Sequence, residues 1–216
     1  MSKRVITAAA LLAVVGTAAL ADKLSFDSDA AGRPPAGWTV AKTGSGEPRW
    51  IVEDDATAPS GAKVVKQSGR ATYPLLLKEG SNLKDGTVEV QFKALSGSED
   101  RAAGLVWRAR DVNNYYVVRA NALENNVVLY KTVNSKRSEL DIVGRRGGYG
   151  VKEPVPANRW NTLRVEFAGS RFTVVFNGKR LFDVEDATFP DAGMVGLWTK
   201  ADSVTAFAGF AFEEKR

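Results

Sequence analysis

The sequence predicts an all-β chain folded as an antiparallel β-sandwich. Three observations predict it. Runs of strand length recur at about 8–12-residue intervals with turn residues between them. Within the runs apolar and polar residues alternate, most clearly where Val88, Val90 and Phe92 interleave with Glu89, Gln91 and Lys93. Asn177-Gly178 separates two such runs, and Asn-Gly suits a type I′ hairpin turn because both central residues need positive φ. No helical period appears beyond residue 21.

Residues 1–21 read as a signal peptide. Lys3 and Arg4 give a positive start, Val5 to Leu20 is an apolar run short for a bilayer crossing, and Ala19-Leu20-Ala21 is a small-x-small cleavage site. An uncleaved anchor is the alternative reading. No Cys follows the cleavage site, which excludes a lipoprotein. Cleavage is expected to leave 22–216 as one β-sandwich domain, exported to a periplasmic or extracellular location and without a membrane span. Its length suffices for a sizeable core.

The elements then follow in order. Leu24-Ser25-Phe26 reads as an edge strand, and Gly32 to Gly37 as a turn cluster with two prolines. Trp38 to Val40, Trp50 to Glu53, Lys63 to Lys66 and Tyr73 to Leu77 read as short strands. Gly86 to Ala94 is a half-buried strand, and Ala103 to Arg110, carrying Trp107, is the next. Turns at Asn113-Asn114 and Leu123 to Asn126 bracket the strand Tyr115 to Asn121, and Val127 to Lys131 follows. Ser138 to Val143 is expected as a strand, and Gly144 to Glu153 as a long glycine-rich connection. Trp160 to Phe167, Arg171 to Phe176, Arg180 to Val184, Gly193 to Trp198 and a Phe-rich terminal run complete the set.

Composition excludes several chemistries. There is no Cys, so the fold rests on packing, and thiolate metal sites and thiol redox chemistry are ruled out. There is no His, so a Ser-His-Asp triad cannot form and the usual zinc ligands are missing. A calcium site on Asp carboxylates is compatible with such a sandwich, but no spacing calls for one, and neither metal nor cofactor is expected. Net charge is +5 and falls by two when Lys3 and Arg4 leave. The charges are interspersed, so no nucleic-acid partner is expected.

Alternation puts Tyr115, Val117, Arg119 and Asn121 on one strand face and Tyr116, Val118 and Ala120 on the core face. A tight following turn would set Asn121 across from Val128 and Arg119 across from Tyr130. An aromatic ring can take the C–H face of a sugar, while Arg or Asn bridges vicinal hydroxyls. The competing reading is a solvated face with Arg packed over Tyr. Trp198 and Lys200 share a face at a strand end and form a second candidate platform, and Trp107 is a third. Trp160 reads as core. For catalysis, Glu139 and Asp141 stand two apart, with Glu124 as a further acid. Glycosidases use two carboxyls about 5–5.5 Å apart when retaining and farther when inverting.

The run from Gly86 to Phe212 resembles exported bacterial members of the concanavalin A-like lectin/glucanase (laminin-G-like) superfamily. These are family-sixteen-like glycoside hydrolases and proteins near the 3-keto-disaccharide hydrolase domain. The resemblance lies in Asp100 to Arg108, Asp111 to Lys131 and Gly193 to Thr205. It implies a jelly-roll sandwich and a carbohydrate-related role. Two departures weigh against catalysis: Phe207-Ala208-Gly209-Phe210 stands where relatives carry Phe-Asp-Asp or Phe-Asp-Asn, and Trp160-Asn161-Thr162 where relatives often carry Trp-His-Thr. Glu139-Leu140-Asp141 also lacks the third acid of the family-sixteen motif, since Gly144 occupies its place.

The expected function is therefore recognition of a poly- or disaccharide by an exported, non-catalytic sandwich. Trp107, Tyr115, Arg119, Asn121, Tyr130, Trp198 and Lys200 are its expected contacts. The alternatives are a glycoside hydrolase working through carboxylates, and a cell-envelope interaction module.

Overall fold

The fold comes from a computed structural model that describes residues 23–215. The expected signal peptide lies outside the described residues. Fifteen strands are formed among those residues, with no α-helix. They are β1 (Trp38–Glu47), β2 (Trp50–Asp54), β3 (Lys63–Gln67), β4 (Arg70–Lys78), β5 (Gly86–Ser96), β6 (Ala102–Asp111), β7 (Asn114–Asn121) and β8 (Asn126–Val133). There follow β9 (Lys136–Glu139), β10 (Val151–Lys152), β11 (Trp160–Ala168), β12 (Arg171–Phe176), β13 (Lys179–Glu185), β14 (Met194–Trp198) and β15 (Val204–Glu214).

All named pairings are antiparallel, in two sheets. The first runs β1-β4-β14-β6-β7-β8-β10, with β9 also on β8, and the second runs β13-β12-β11-β5-β15-β3-β2. The chain is thus an antiparallel sandwich. Asn177 and Gly178 take φ of 48° and 77°, and the pair closes the β12–β13 hairpin as its chemistry requires.

The inner faces make the core. Val88, Val90 and Phe92 of β5 meet Leu105 and Trp107 of β6 and Tyr116, Val118 and Ala120 of β7, all buried. Trp107 stacks between Tyr116 and Phe167, with its ring edge-on to Phe172.

The first sheet curls. Tyr115 on β7 places its hydroxyl 2.8 Å from Thr43 Oγ1 on β1, although three strands lie between them. A flat sheet would hold those two backbones about 19 Å apart at about 4.8 Å per strand. The outer face is therefore concave, and it carries a second apolar cluster that includes Leu75, Val106, Val117, Val128, Tyr130 and Trp198.

The structure differs from the sequence expectation at several places, among them β10, which forms inside the expected glycine-rich connection. Leu24 makes only an isolated bridge to Phe210. The strand expected over Ser138 to Val143 is shifted to β9 and ends at Glu139. Leu140 and Ile142 turn inward against the core, and Ile142 bridges Val184 of the other sheet. The β7–β8 register is two residues from the expected one, with Asn121 opposite Asn126, Arg119 opposite Val128 and Val117 opposite Tyr130. The reason is local: Asn121 Oδ1 accepts from the N–H groups of Leu123 and Glu124, and Asn125 turns at φ 48°. An even shift preserves every side-chain face.

Candidate functional site

One end of the concave face gathers the polar chemistry. Strand direction brings the C-terminal ends of β7 and β14 and the N-terminal ends of β4, β6 and β8 to the same rim. Arg119 sits in this rim, fully buried, and its guanidinium binds Glu124 through two nitrogens at 3.3 and 2.9 Å. Asn126 accepts from Arg119 Nη2 at 2.8 Å and donates to Glu124 at 2.8 Å.

The Asn121 amide donates to both Glu124 at 3.1 Å and Asp100 at 2.7 Å. Asp100 is buried and pairs with Lys200 at 2.6 Å. Two carboxylates thus share one amide nitrogen, and each carries its own cation. Glu124 and Lys200 are the members that reach solvent, with 37% and 27% of their side chains exposed.

Asp100 depends on Asp202 for its place. The Asp202 carboxylate accepts the backbone N–H groups of Ser98, Glu99 and Asp100 and the Ser98 hydroxyl, which pins the 98–100 loop over the rim. Burial opposes ionisation of Asp202, but those donors outweigh it and hold the carboxyl below its ordinary value. Burial likewise opposes ionisation of Glu124. Hydrogen bonds from Arg119 and Asn126, with the Arg119 charge, win and lower it.

Aromatic rings flank the network. The Arg119 Cζ lies 5.6 Å from the Tyr130 ring centre and 5.5 Å from that of Tyr149, and the two phenols share a hydrogen bond. Burial pushes the Tyr130 phenol up, so it stays neutral. Tyr149 reaches in from the glycine-rich connection and remains 45% exposed. Beside Lys200 a cleft of about 310 Å³ opens, walled by Ser45, Arg70, Thr72, Tyr73 and Glu99. Tyr73 stacks on Trp198 with ring centres 5.4 Å apart.

The structure therefore brings Arg119, Asn121, Glu124, Tyr130 and Lys200 into one network, in which Glu124 and Lys200 reach solvent and Arg119, Asn121 and Tyr130 are buried behind them. Three expected contacts must be corrected. Trp107 is a core ring between the sheets and offers no face to a ligand. Tyr115 is buried with its hydroxyl engaged by Thr43. Trp198 is buried behind Tyr73. Alternation could assign them to a face but could not show what lies over it.

Glu139 and Asp141 are corrected as a strand-spaced acid pair. β9 stops at Glu139, and Asp141 accepts the Gly147 N–H from a loop. Asp100, Asn126, Tyr73 and Tyr149 were missed, because only the turns and the curl bring them to the rim. Among the described residues no group of three or more Asp or Glu is placed to hold a metal ion.

Asn161, which stands where relatives often carry His, donates to the Pro156 and Arg159 carbonyls and accepts from Asn177.

The fold has solved counterparts. The carbohydrate binding module CBM66 from Bacillus subtilis superposes with a TM-score of 0.65 over 82% of this chain and 96% of the module, at 23% identity. The cellulose induced protein Cip1 gives 0.58 over 90% and 98% of the two chains at 14% identity. The exoplasmic/lumenal domain of VIP36, solved with Ca²⁺ and Man3GlcNAc, gives 0.53 over 83% and 84% at 14% identity. These likenesses establish a lectin-like jelly-roll fold. No curated protein matches the chain in sequence. The profile of the 3-keto-alpha-glucoside-1,2-lyase-like domain matches residues 23–208, nearly the whole described chain, and the protein belongs to that family.

Proposed function

We propose that the protein is an exported carbohydrate-binding sandwich that holds its sugar at the concave rim and does not turn it over. The observation that carries this reading is the paired-carboxylate network of Asp100 and Glu124, opening beside a cleft walled by Tyr73. Carboxylates and guanidinium groups at such a rim accept and donate to vicinal hydroxyls, while a ring face takes the apolar side of the sugar. The partners already bonded within the network fix its geometry, so little ordering is needed on binding. The carbohydrate binding module and the glycan-bound lumenal domain that share the fold support the ligand class.

Hydrolysis is the second reading, and one distance favours it. Asp100 and Glu124 oxygens both contact Asn121 Nδ2, so they lie within the sum of those two short distances of each other. That is close enough for a retaining pair. Protonation argues against it, because a general acid needs a raised pKa and Glu124 is held low by Arg119 and Asn126.

The test is a glycan array probed with residues 22–216, with released reducing sugar read in parallel. Binding without turnover is expected. Glu124→Gln and Lys200→Met should each weaken binding about ten-fold or more. Each also leaves a buried partner (Arg119 or Asp100) without its counter-charge and lowers the melting temperature, so binding is compared at a temperature where both variants are folded. Binding unchanged in both variants would move the site elsewhere, and turnover abolished by Glu124→Gln would establish the hydrolase. Export is part of the proposal. A cell expressing the full chain should yield a periplasmic or secreted form beginning at Asp22, whereas a full-length cytoplasmic product would refute it.

A further inference from the structure

Three rim cations have carboxylate partners: Arg70 with Glu99, Lys200 with Asp100 and Arg119 with Glu124. Arg137 does not. It lies on β9 opposite Thr132, so its side chain projects onto the concave face. Its Cζ stands 4.1 Å from the Tyr130 ring centre, 4.9 Å from that of Tyr73 and 5.5 Å from that of Trp198. Among the described residues it makes no ion pair, and its Nη1 is buried without a hydrogen-bond partner. Glu139, two residues along the same strand face, is exposed and forms no pair with it.

We infer that the sugar bound at this rim is acidic, and that Arg137 takes its carboxylate. The inference rests on the carbohydrate reading above and names the ligand class for that same site. Tyr73 links the two features, because it lines the cleft and its ring centre lies 4.9 Å from the Arg137 guanidinium carbon. A sugar ring seated in the cleft would carry a substituent toward that fork. The rings hold the guanidinium plane by cation–π contact, so the fork is oriented before any ligand arrives. Arg137 as a whole is half-buried, but its Nη1 is buried without a partner, and a buried donor left unmade is costly. A neutral hydroxyl would satisfy only the donor. A carboxylate satisfies donor and charge together, in the bidentate geometry that guanidinium favours. Uronate residues supply that group on a sugar ring.

The experiment pairs each acidic ligand with its own neutral form. Short oligosaccharides of galacturonate, glucuronate and mannuronate are titrated against residues 22–216, each beside its methyl ester, which removes the charge and keeps the ring. At least one free acid should bind about ten-fold or more tightly than its ester, and the preference should fall as salt is raised. Arg137→Gln should erase the preference, while Arg137→Lys should keep part of it. Melting temperatures show that both variants fold, and if Arg137→Gln fails to fold, the acid-over-ester ratio and its salt dependence in the parent decide. Acids and esters binding alike across the panel, or a preference that survives Arg137→Gln, would overturn the inference and leave the carbohydrate reading standing. Absence of binding to any acidic or neutral glycan would remove both.

Discussion

The outer faces of the two sheets use the same strand alternation and reach opposite ends. On the second sheet, β11 alternates half-buried and buried residues, and its outward set Thr162, Arg164 and Glu166 meets water. Its charges pair along the surface, as in Arg164–Glu166 and Arg171–Asp183. On the first sheet, the outward set of β7 is Tyr115, Val117, Arg119 and Asn121, and all four are buried. Curvature accounts for the difference. A curled sheet brings its outward side chains together, so polar groups there must bond one another. Polar residues on the second sheet are solvated; those on the first bond one another in a buried network.

The largest expected effect sharpens the division between core and outer face. Trp107→Ala removes a ring packed among Tyr116, Phe167 and Phe172 and should cost about 3–5 kcal/mol in chemical denaturation. Trp160→Ala, a half-buried ring on the outer face of the second sheet, should cost about 1–2 kcal/mol. Equal losses would mean that the two tryptophans are not in different layers.

That pair also shows what the sequence could and could not disclose. The Asn177-Gly178 hairpin and the interior face of β5 were legible, because turn chemistry and period-2 alternation are local. Trp160 was read as core and lies outside, under the Lys93 ammonium and bonded to Thr57. Trp107 was read as a platform and lies inside. The two errors differ in source: in β6 both faces are buried, so alternation no longer separates inside from outside, whereas in β11 alternation holds and sets Trp160 with the outward Thr162, Arg164 and Glu166. Alternation did set Arg119 and Asn121 on the outward face, and the structure bonds both to Glu124. Asp100 was invisible, because the Asp202 carboxylate holds its loop from a hundred residues away.

The next comparison sets one arginine from each outer face side by side. Arg119→Leu would leave Glu124 and Asn126 without their shared donor and should cost about 2–4 kcal/mol, softened by the partial exposure of Glu124. Arg164→Leu removes a surface pair and should cost under about 1 kcal/mol. Combining Arg119→Leu with Glu124→Leu should recover part of the loss, because the stranded carboxylate is then gone. A loss at Arg119 as small as at Arg164 would show that the rim is solvated like the other face.

The smallest effect separates the two faces by what holds their carboxylates. Burial opposes ionisation of Asp183 on the second sheet, but Arg171, Arg180 and Thr173 bring it down to about 2. Asp202 at the rim is lowered instead by backbone N–H groups. In each case the folded value lies below the unfolded one. The stabilisation is therefore fully present above the ordinary carboxylate range and is lost as pH falls through the folded value. Asp183→Asn and Asp202→Asn should each cost on the order of 1 kcal/mol at neutral pH, with the Asp183 loss shrinking between about pH 4 and pH 2. Salt distinguishes them. At 1 M the screening length is about 3 Å, so the guanidinium-held Asp183 should contribute less, while the hydrogen-bonded Asp202 should be nearly unmoved. Acid unfolding of both variants at low and high salt reads this directly. An equal salt response would mean that Asp202 is held by charge rather than by the 98–100 backbone, and that the loop carrying Asp100 is not fixed in the way the rim requires.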